Sequence, residues 1–281
     1  MSDVGVLSCP VCRQRLAGDG SRVLCPEEHS FDIARAGYVN LTLGHGGRRR
    51  VGDTAEMVKA RAEFLGAGHF APVAGAVAEA VAAGHPGHGC LAELGSGTGA
   101  YLRAAHDLLA ETAPGPPPAW GFDLSKAATS FSAPRHRDLG FAVADVESRV
   151  PLLDASAGAV MAVFAPRPAA ECARVIAPGG CLVAAFATPR HLEGLRRRWD
   201  LLSVGEGKLE ALWERLAPWF APDEAHTVEY EIELAPADVE RLVAMGPNAR
   251  HGGLSEPPTE STREWVSVTV ARFGRHQDPR P

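Results

Sequence analysis

The 281 residues include 46% hydrophobic side chains and carry a formal charge of −6 at neutral pH. That length sets a prior of about two domains with enough apolar material for a true core, and the slight acidity gives no global signature of nucleic-acid binding. Apolar stretches are short and broken by glycine, proline or charge, so none reads as a membrane span. No basic segment followed by an apolar one opens the chain, which argues against secretion and for a cytoplasmic setting in which thiols stay reduced.

The first predicted element is a metal clip. Cys9-Pro-Val-Cys12 is followed, after twelve residues, by Cys25 and His29. Two close pairs of thiolate and imidazole donors suit a tetrahedral zinc ion with no open position, a structural site. A redox Cys-x-x-Cys would leave the Cys25/His29 pair unexplained. Cys90, Cys172 and Cys181 sit in apolar or helical surroundings and read as core. Residues 1–45 are too few to hold together by apolar burial alone, which is where a metal is needed. Directly after them, Arg48, Arg49 and Arg50 follow the turn Gly44-His-Gly-Gly47. Three arginines on a flexible loop can track nucleic-acid phosphates or form a solvated turn.

Residues 46–89 read as a linker and two bridging helices. Asp53-Thr-Ala-Glu56 has capping-box character before Met57, Ala60, Phe64 and Leu65, and Pro72 opens a second helix running to about residue 83. From residue 90 the pattern alternates, with strands at 90–94, 119–122, 141–144, 159–164 and 181–186 and helices at 101–111 and 169–176. Alternation of this kind implies a parallel sheet. Helices at 191–203 and 206–217 follow, then strands at 227–234 and 265–273 with a helix at 236–245 and a polar loop between them. Two long alternating strands at the end suggest an antiparallel addition at the sheet edge. Residues 90–273 therefore form the second domain, and 274–281 a flexible tail.

Within that domain, Glu93-Leu-Gly-Ser-Gly-Thr-Gly99 lies between a strand and a helix. Gly95, Gly97 and Gly99 let backbone approach a nucleotide-like ligand. The turn lacks the Gly-x-Gly-x-x-Gly spacing of a pyrophosphate site and has an acid before it. Negative charge there disfavours a diphosphate and suits the cationic end of S-adenosylmethionine, with a nicotinamide cofactor as the rival. Asp123 ends the second strand, where an acid can bind ribose hydroxyls, and Asp145 ends the third. Each could instead be an ordinary turn residue. Leu124 and Val146, next in the chain, join the candidate cofactor contacts.

With both modules placed, the sequence resembles the large-subunit ribosomal RNA guanine-N1 methyltransferases, the RlmA family, including the tylosin-resistance members of actinobacteria. The matching stretches run in order through most of the chain: Cys9-Pro-Val-Cys12, Cys25 to His29, Phe31-Asp-Ile-Ala-Arg-Ala-Gly-Tyr-Val-Asn-Leu41, Gly52-Asp-Thr-Ala-Glu-Met57, Ala67-Gly-His-Phe-Ala-Pro72, Phe164-Ala-Pro166, Pro178-Gly-Gly180 and Pro189-Arg-His-Leu192. The resemblance implies a Rossmann-like, class I S-adenosylmethionine-dependent methyltransferase domain behind a zinc module that engages rRNA. Its implied substrate is N1 of a guanine in hairpin 35 of 23S rRNA. Phe164-Ala-Pro-Arg167 and Val243-Ala-Met-Gly-Pro247 look like the tylosin-resistance branch, which implies nucleotide 748 and macrolide resistance; nucleotide 745, or a small molecule of natural-product biosynthesis, is the alternative substrate.

The family also implies cofactor contacts at Phe70, Tyr101, Leu102 and His191. Where Phe70 stands, a common family form has tyrosine, so any hydroxyl hydrogen bond is lost here. Family members can act as dimers, and a homodimer is implied in the same way. For catalysis the candidates are Phe164, Ala165 and Pro166, at the end of the fourth strand, where related enzymes offer an aromatic and backbone carbonyls to a flipped-out base. The alternative is that Phe164 is core and Pro166 a turn.

Overall fold

The computed structural model describes residues 2–43, 50–112, 115–250 and 253–276. The Gly44–Gly47 turn, Arg48 and Arg49 lie outside them, as does most of the tail.

The amino-terminal module is a small antiparallel sheet of β1 (Ala17–Gly18), β2 (Arg22–Leu24) and β3 (Ser30–Asp32). It is not an isolated bead. Leu7, Leu16 and Val23 are fully buried in the same cluster as Trp120, Phe122 and Leu152 of the larger body. Ser8 N–H donates to the Pro151 carbonyl at 3.1 Å, and the Trp120 indole donates to the Asp3 carbonyl at 3.0 Å. The following strand, β4 (Val39–Asn40), leaves the module and joins the main sheet.

Two helices come next, α1 (Ala55–Gly66) and α2 (Ala71–Gly84). Thr54, not Asp53, caps α1, its hydroxyl accepting from Met57 N–H at 3.3 Å. The capping chemistry is as expected but one residue later, and Asp53 is freed for another task.

The main sheet has eight strands. In chain order these are β4, β5 (Cys90–Leu94), β6 (Ala119–Asp123), β7 (Gly140–Val143), β8 (Ala157–Val163), β9 (Ile176–Ala187), β10 (Phe220–Leu234) and β11 (Thr262–Arg275). Across the sheet the order is β10-β11-β9-β8-β5-β6-β7-β4. Every pair from β9 to β4 is parallel, while β11 is antiparallel to both β9 and β10. The antiparallel addition is therefore a single inserted strand. β10 takes the edge and runs with the rest.

The helices are α3 (Ala100–Thr112), α4 (Lys126–Ser132), α5 (Ala169–Val175), α6 (Glu193–Arg198), α7 (Lys208–Leu216) and α8 (Pro236–Ala244). The central strands β5, β6, β7 and β8 are buried on both faces. Leu91 of β5 packs toward Val73, Val77, Val81 and Leu102 of α2 and α3, whereas Cys90, Ala92 and Leu94 pack toward the zinc module, α5 and α7. This alternation across a pleat gives a three-layer α/β domain in which the amino-terminal module supplies part of one layer. Where the expected helix at 191–203 should begin, Leu192 adopts a left-handed conformation with its N–H on the Trp265 carbonyl, so α6 is confined to two turns. Among the described residues no single helix is long and apolar enough to cross a membrane.

Strand order reverses at β5, whose neighbours β6 and β8 lead to opposite ends of the sheet. The carboxyl ends of β5, β6 and β8 thus open a crevice, the usual place for a ligand in such a sheet.

Candidate functional site

The metal clip is built from two turns. Arg13 N–H donates to the Cys9 carbonyl and Glu28 N–H to the Cys25 carbonyl, with Arg13 and Glu28 both at positive φ (68° and 62°). These turns bring one ligand atom each from Cys9, Cys12, Cys25 and His29 to within 4.8 Å of one another. A tetrahedron of about 2.3 Å bonds has edges of about 3.8 Å; the Cys12–Cys25 and Cys25–His29 separations are 3.4 and 3.3 Å. Burial alone would raise the Cys25 thiol, but bonds from Cys12 and His29 outweigh it and bring it down to about 7. Three thiols and an imidazole, which together fill the four positions of a tetrahedral ion, make a structural zinc site.

At the crevice, a cavity of about 690 Å³ is lined by the glycine turn, the ends of β6, β7 and β8, helix α1 and the segment after α8. Gly95 (φ +70°) has no room for a side chain, because a Cβ there would lie 2.7 Å from that of Ala165. Asp123 ties the turn in place. One carboxylate oxygen accepts from Gly97 N–H at 2.8 Å and the other from Ser125 N–H at 2.7 Å. Burial pushes the Asp123 carboxyl up, against the pull of those two bonds. The cradle left bare of Cβ atoms and the acid at the strand end fit an adenosyl ligand, and the volume lies within the range of small-molecule sites.

The structure gathers Phe70, Gly95, Gly97, Tyr101, Asp123, Leu124, Asp145 and Val146 on this cavity wall. Four other expected contacts lie behind it. Glu93 is fully buried beneath the turn, where it accepts from Leu102 N–H at 3.1 Å, and burial raises its carboxyl well above the ordinary range. Leu102 is core. Gly99 makes room for Phe141, whose ring carbon would lie 2.9 Å from a Cβ. His191 is buried and backs the cavity through aromatic contacts, its ring 5.7 Å from Phe70. Nδ1 of His191 accepts from Ser267 N–H, and burial with Arg196 and Lys208 nearby lowers its pKa to about 4.

Arg50 reaches the rim but is paired with Asp145 and Glu147, both at 3.2 Å. Its guanidinium closes over the end of β7 and is not a free phosphate contact; Arg48 and Arg49 lie outside the described residues. Sequence reasoning missed a second charged group. Arg61 of α1 pairs with Asp53 and donates to the Met245 carbonyl at 2.6 Å, while Arg250 donates to the Gly52 carbonyl at 2.9 Å. The only sequence signal for Arg61 is a cation on the buried side of an amphipathic helix, and nothing in spacing foretells its partner nearly two hundred residues away.

Phe164 stands at the mouth. It is 44% exposed and adopts φ +52°, an uncommon backbone conformation for an aromatic residue. Its N–H on the Ala185 carbonyl holds that geometry, and its ring lies 6.2 Å from Phe70 and stacks on His191 at 6.1 Å. Strain of this kind concentrates at functional positions. The core alternative for Phe164 does not hold.

This chain is similar to known proteins along most of its length. Residues 7–42 match the model of the RlmA amino-terminal zinc ribbon. A Micromonospora griseorubida protein provisionally named a 23S rRNA (guanine-N1)-methyltransferase is 38% identical over 95% of this chain and 96% of its own length. The 23S rRNA (guanine(748)-N1)-methyltransferase of Streptomyces fradiae is 36% identical over 88% of this chain and 87% of its own. Among solved structures, a Bacillus halodurans protein provisionally described as a methyltransferase aligns with a TM-score of 0.47 at 14% identity, over 71% of this chain and 97% of that one.

Proposed function

Since the chain belongs to the family of 23S rRNA (guanine-N1)-methyltransferases, we propose that it methylates N1 of guanine 748 in hairpin 35 of 23S rRNA, in the cytoplasm, and that this confers tylosin-type resistance. The observation that carries the reading is the exposed, left-handed Phe164 standing over a glycine-turn cavity, on a chain whose other end is a zinc ribbon. S-adenosylmethionine supplies an electrophilic methyl group in this reaction. Gly95 and Gly97 would admit its backbone-hugging part, Asp123 its ribose hydroxyls, and Asp145 with Val146 its base. Phe70 and Tyr101 close the apolar walls, and Glu93, Leu102, Gly99 and His191 support from behind.

Such a displacement gains most of its rate from positioning. Guanine N1 holds a proton at neutral pH, and this must leave as the methyl arrives. In our reading Phe164 stacks on the extruded guanine, with Phe70 and His191 backing its ring, and the backbone carbonyls around Ala165 and Pro166 accept the hydrogen bond from N1–H until a water molecule takes the proton as the methyl arrives. The zinc module would hold the hairpin, and a homodimer would cradle it.

The test is methyl transfer from labelled S-adenosylmethionine to unmodified 23S rRNA, read by reverse-transcription stops. A single stop at 748 is expected. A stop at 745 would reassign the nucleotide, and none, with cofactor bound, would turn the search to small molecules. Phe164→Ala should lower kcat at least about tenfold, the value of one stacking interaction, with S-adenosylmethionine affinity unchanged; full turnover would remove Phe164 from the mechanism.

A further inference from the structure

Next to Phe164, but outside the cavity, lies a concentration of positive charge in which, among the described residues, no cation forms an ion pair; the nearest acid to act on it is Glu264, whose carboxyl feels Arg196. Arg167 follows directly on Phe164-Ala165-Pro166, and its Nε and Nη1 are buried without a hydrogen-bond partner. Its guanidinium carbon lies 5.5 Å from the centre of the Phe186 ring, so the side chain is held by packing. Helix α7 begins with Lys208 and carries Arg215 seven residues on, the two flanking the buried Leu212 along one face. Arg196 of α6 is pinned by donating to the carbonyls of His191 and Pro189, against the histidine that stacks on Phe164.

These four cations feel one another. Burial first, and Arg215 second, lowers Arg167; burial, then Arg167 and Arg196, lowers Lys208. Neighbouring arginines show that acids were available to the fold: Arg197 pairs with Glu193 and Arg174 with Glu171. Among the described residues none of the four has such a partner. Two guanidinium nitrogens shielded from water without an acceptor, beside the like charges of Arg215 and Lys208, are costly unless an anion completes them. The cofactor is not that anion, because none of the four lines the cavity.

Resting on the reading of the substrate as RNA, we propose that Arg167, Arg196, Lys208 and Arg215 form a phosphodiester clamp, which grips the RNA backbone beside the nucleotide whose base is laid on Phe164. The arrangement suits this ligand. An extruded nucleotide brings its flanking phosphate oxygens to within reach of its own base's stacking partner, and planar guanidinium groups bind such oxygens two at a time. Cations pre-set around the stacking ring would offset the cost of unstacking the base.

The experiment compares the native chain with Lys208→Glu and Arg215→Glu, both on the exposed part of α7, and with Arg167→Met, which keeps the packing on Phe186. Binding to an unmodified 23S rRNA fragment is followed across a potassium chloride series, alongside S-adenosylmethionine binding and thermal unfolding. Each variant should bind RNA roughly tenfold more weakly, with a slope of log affinity against log salt shallower by about 0.7 for each phosphate no longer neutralised. Cofactor affinity and unfolding midpoint should stay at native values, a separation that a merely structural role would not give. Unchanged affinity and slope, in variants of a chain that methylates rRNA in its native form, would overturn the clamp alone. A native chain that neither binds nor methylates RNA would overturn the substrate reading, and the clamp with it.

Discussion

Asp123 shows how one side chain can serve fold and ligand together. Its two oxygens already hold Gly97 and Ser125, so the glycine turn takes its shape before any cofactor arrives. Replacing it by alanine should raise the KM for S-adenosylmethionine about 10- to 100-fold, the value of a hydrogen bond to a charged group, with a much smaller effect on kcat; initial rates at varied cofactor would show it. His191 makes the second prediction. Its folded pKa of about 4 lies below the ordinary histidine value near 6.5. A depressed histidine costs nothing above the unfolded pKa. As pH falls through the window between the two values, the unfolded chain takes up the proton first and the fold loses stability, by up to about 3 kcal/mol below pH 4. His191→Gln can still accept from Ser267 N–H but cannot titrate, so its unfolding midpoint should fall less than the native one between pH 7 and pH 4.

At the scale of elements, Thr54→Ala tests whether α1 is held by its cap. The lost bond to Met57 N–H should cost about 1 kcal/mol in a denaturant titration. α1 also carries Arg61, so cofactor binding should weaken with it. How much can be read from the sequence follows from burial. Strands β5, β6 and β8 are apolar on both faces and stand out as runs. After the buried Phe220, the first half of β10 is exposed on both sides and pairs only with β11, so residues 221–226 show no alternation and the pattern reveals only the strand's second half. α4 escapes the pattern because Ser125, its cap, looks like part of a turn after Asp123. The same limit governs the site. Cys9, Cys12, Cys25, His29, the glycines and Asp123 announce themselves by spacing, while Arg61, Asp53 and Arg250 meet only because α1 and the segment after α8 pack together.

For the whole molecule, the shared core decides what zinc is worth. Leu7, Leu16 and Val23 pack against Trp120 and Leu152, so the module cannot loosen alone. Chelation or Cys12→Ser should therefore lower the main unfolding transition rather than add a separate early one, as calorimetry with and without a chelator would show. An early transition confined to the module would mean that the two parts are energetically independent.

The short strand β4 carries a consequence for the order of assembly. Val39 and Asn40 leave the ribosome long before Ala142 and Val143, on which they must zip in parallel. The clip around Cys9–His29 can close at once, but the last rung of the sheet waits for roughly a hundred more residues to be made. A newborn chain thus holds its own sheet margin in reserve. For the same reason, the metal-binding segment cannot be cut out after Leu41 and grafted as a cassette without stripping β7 of its neighbour and exposing a raw edge to other chains.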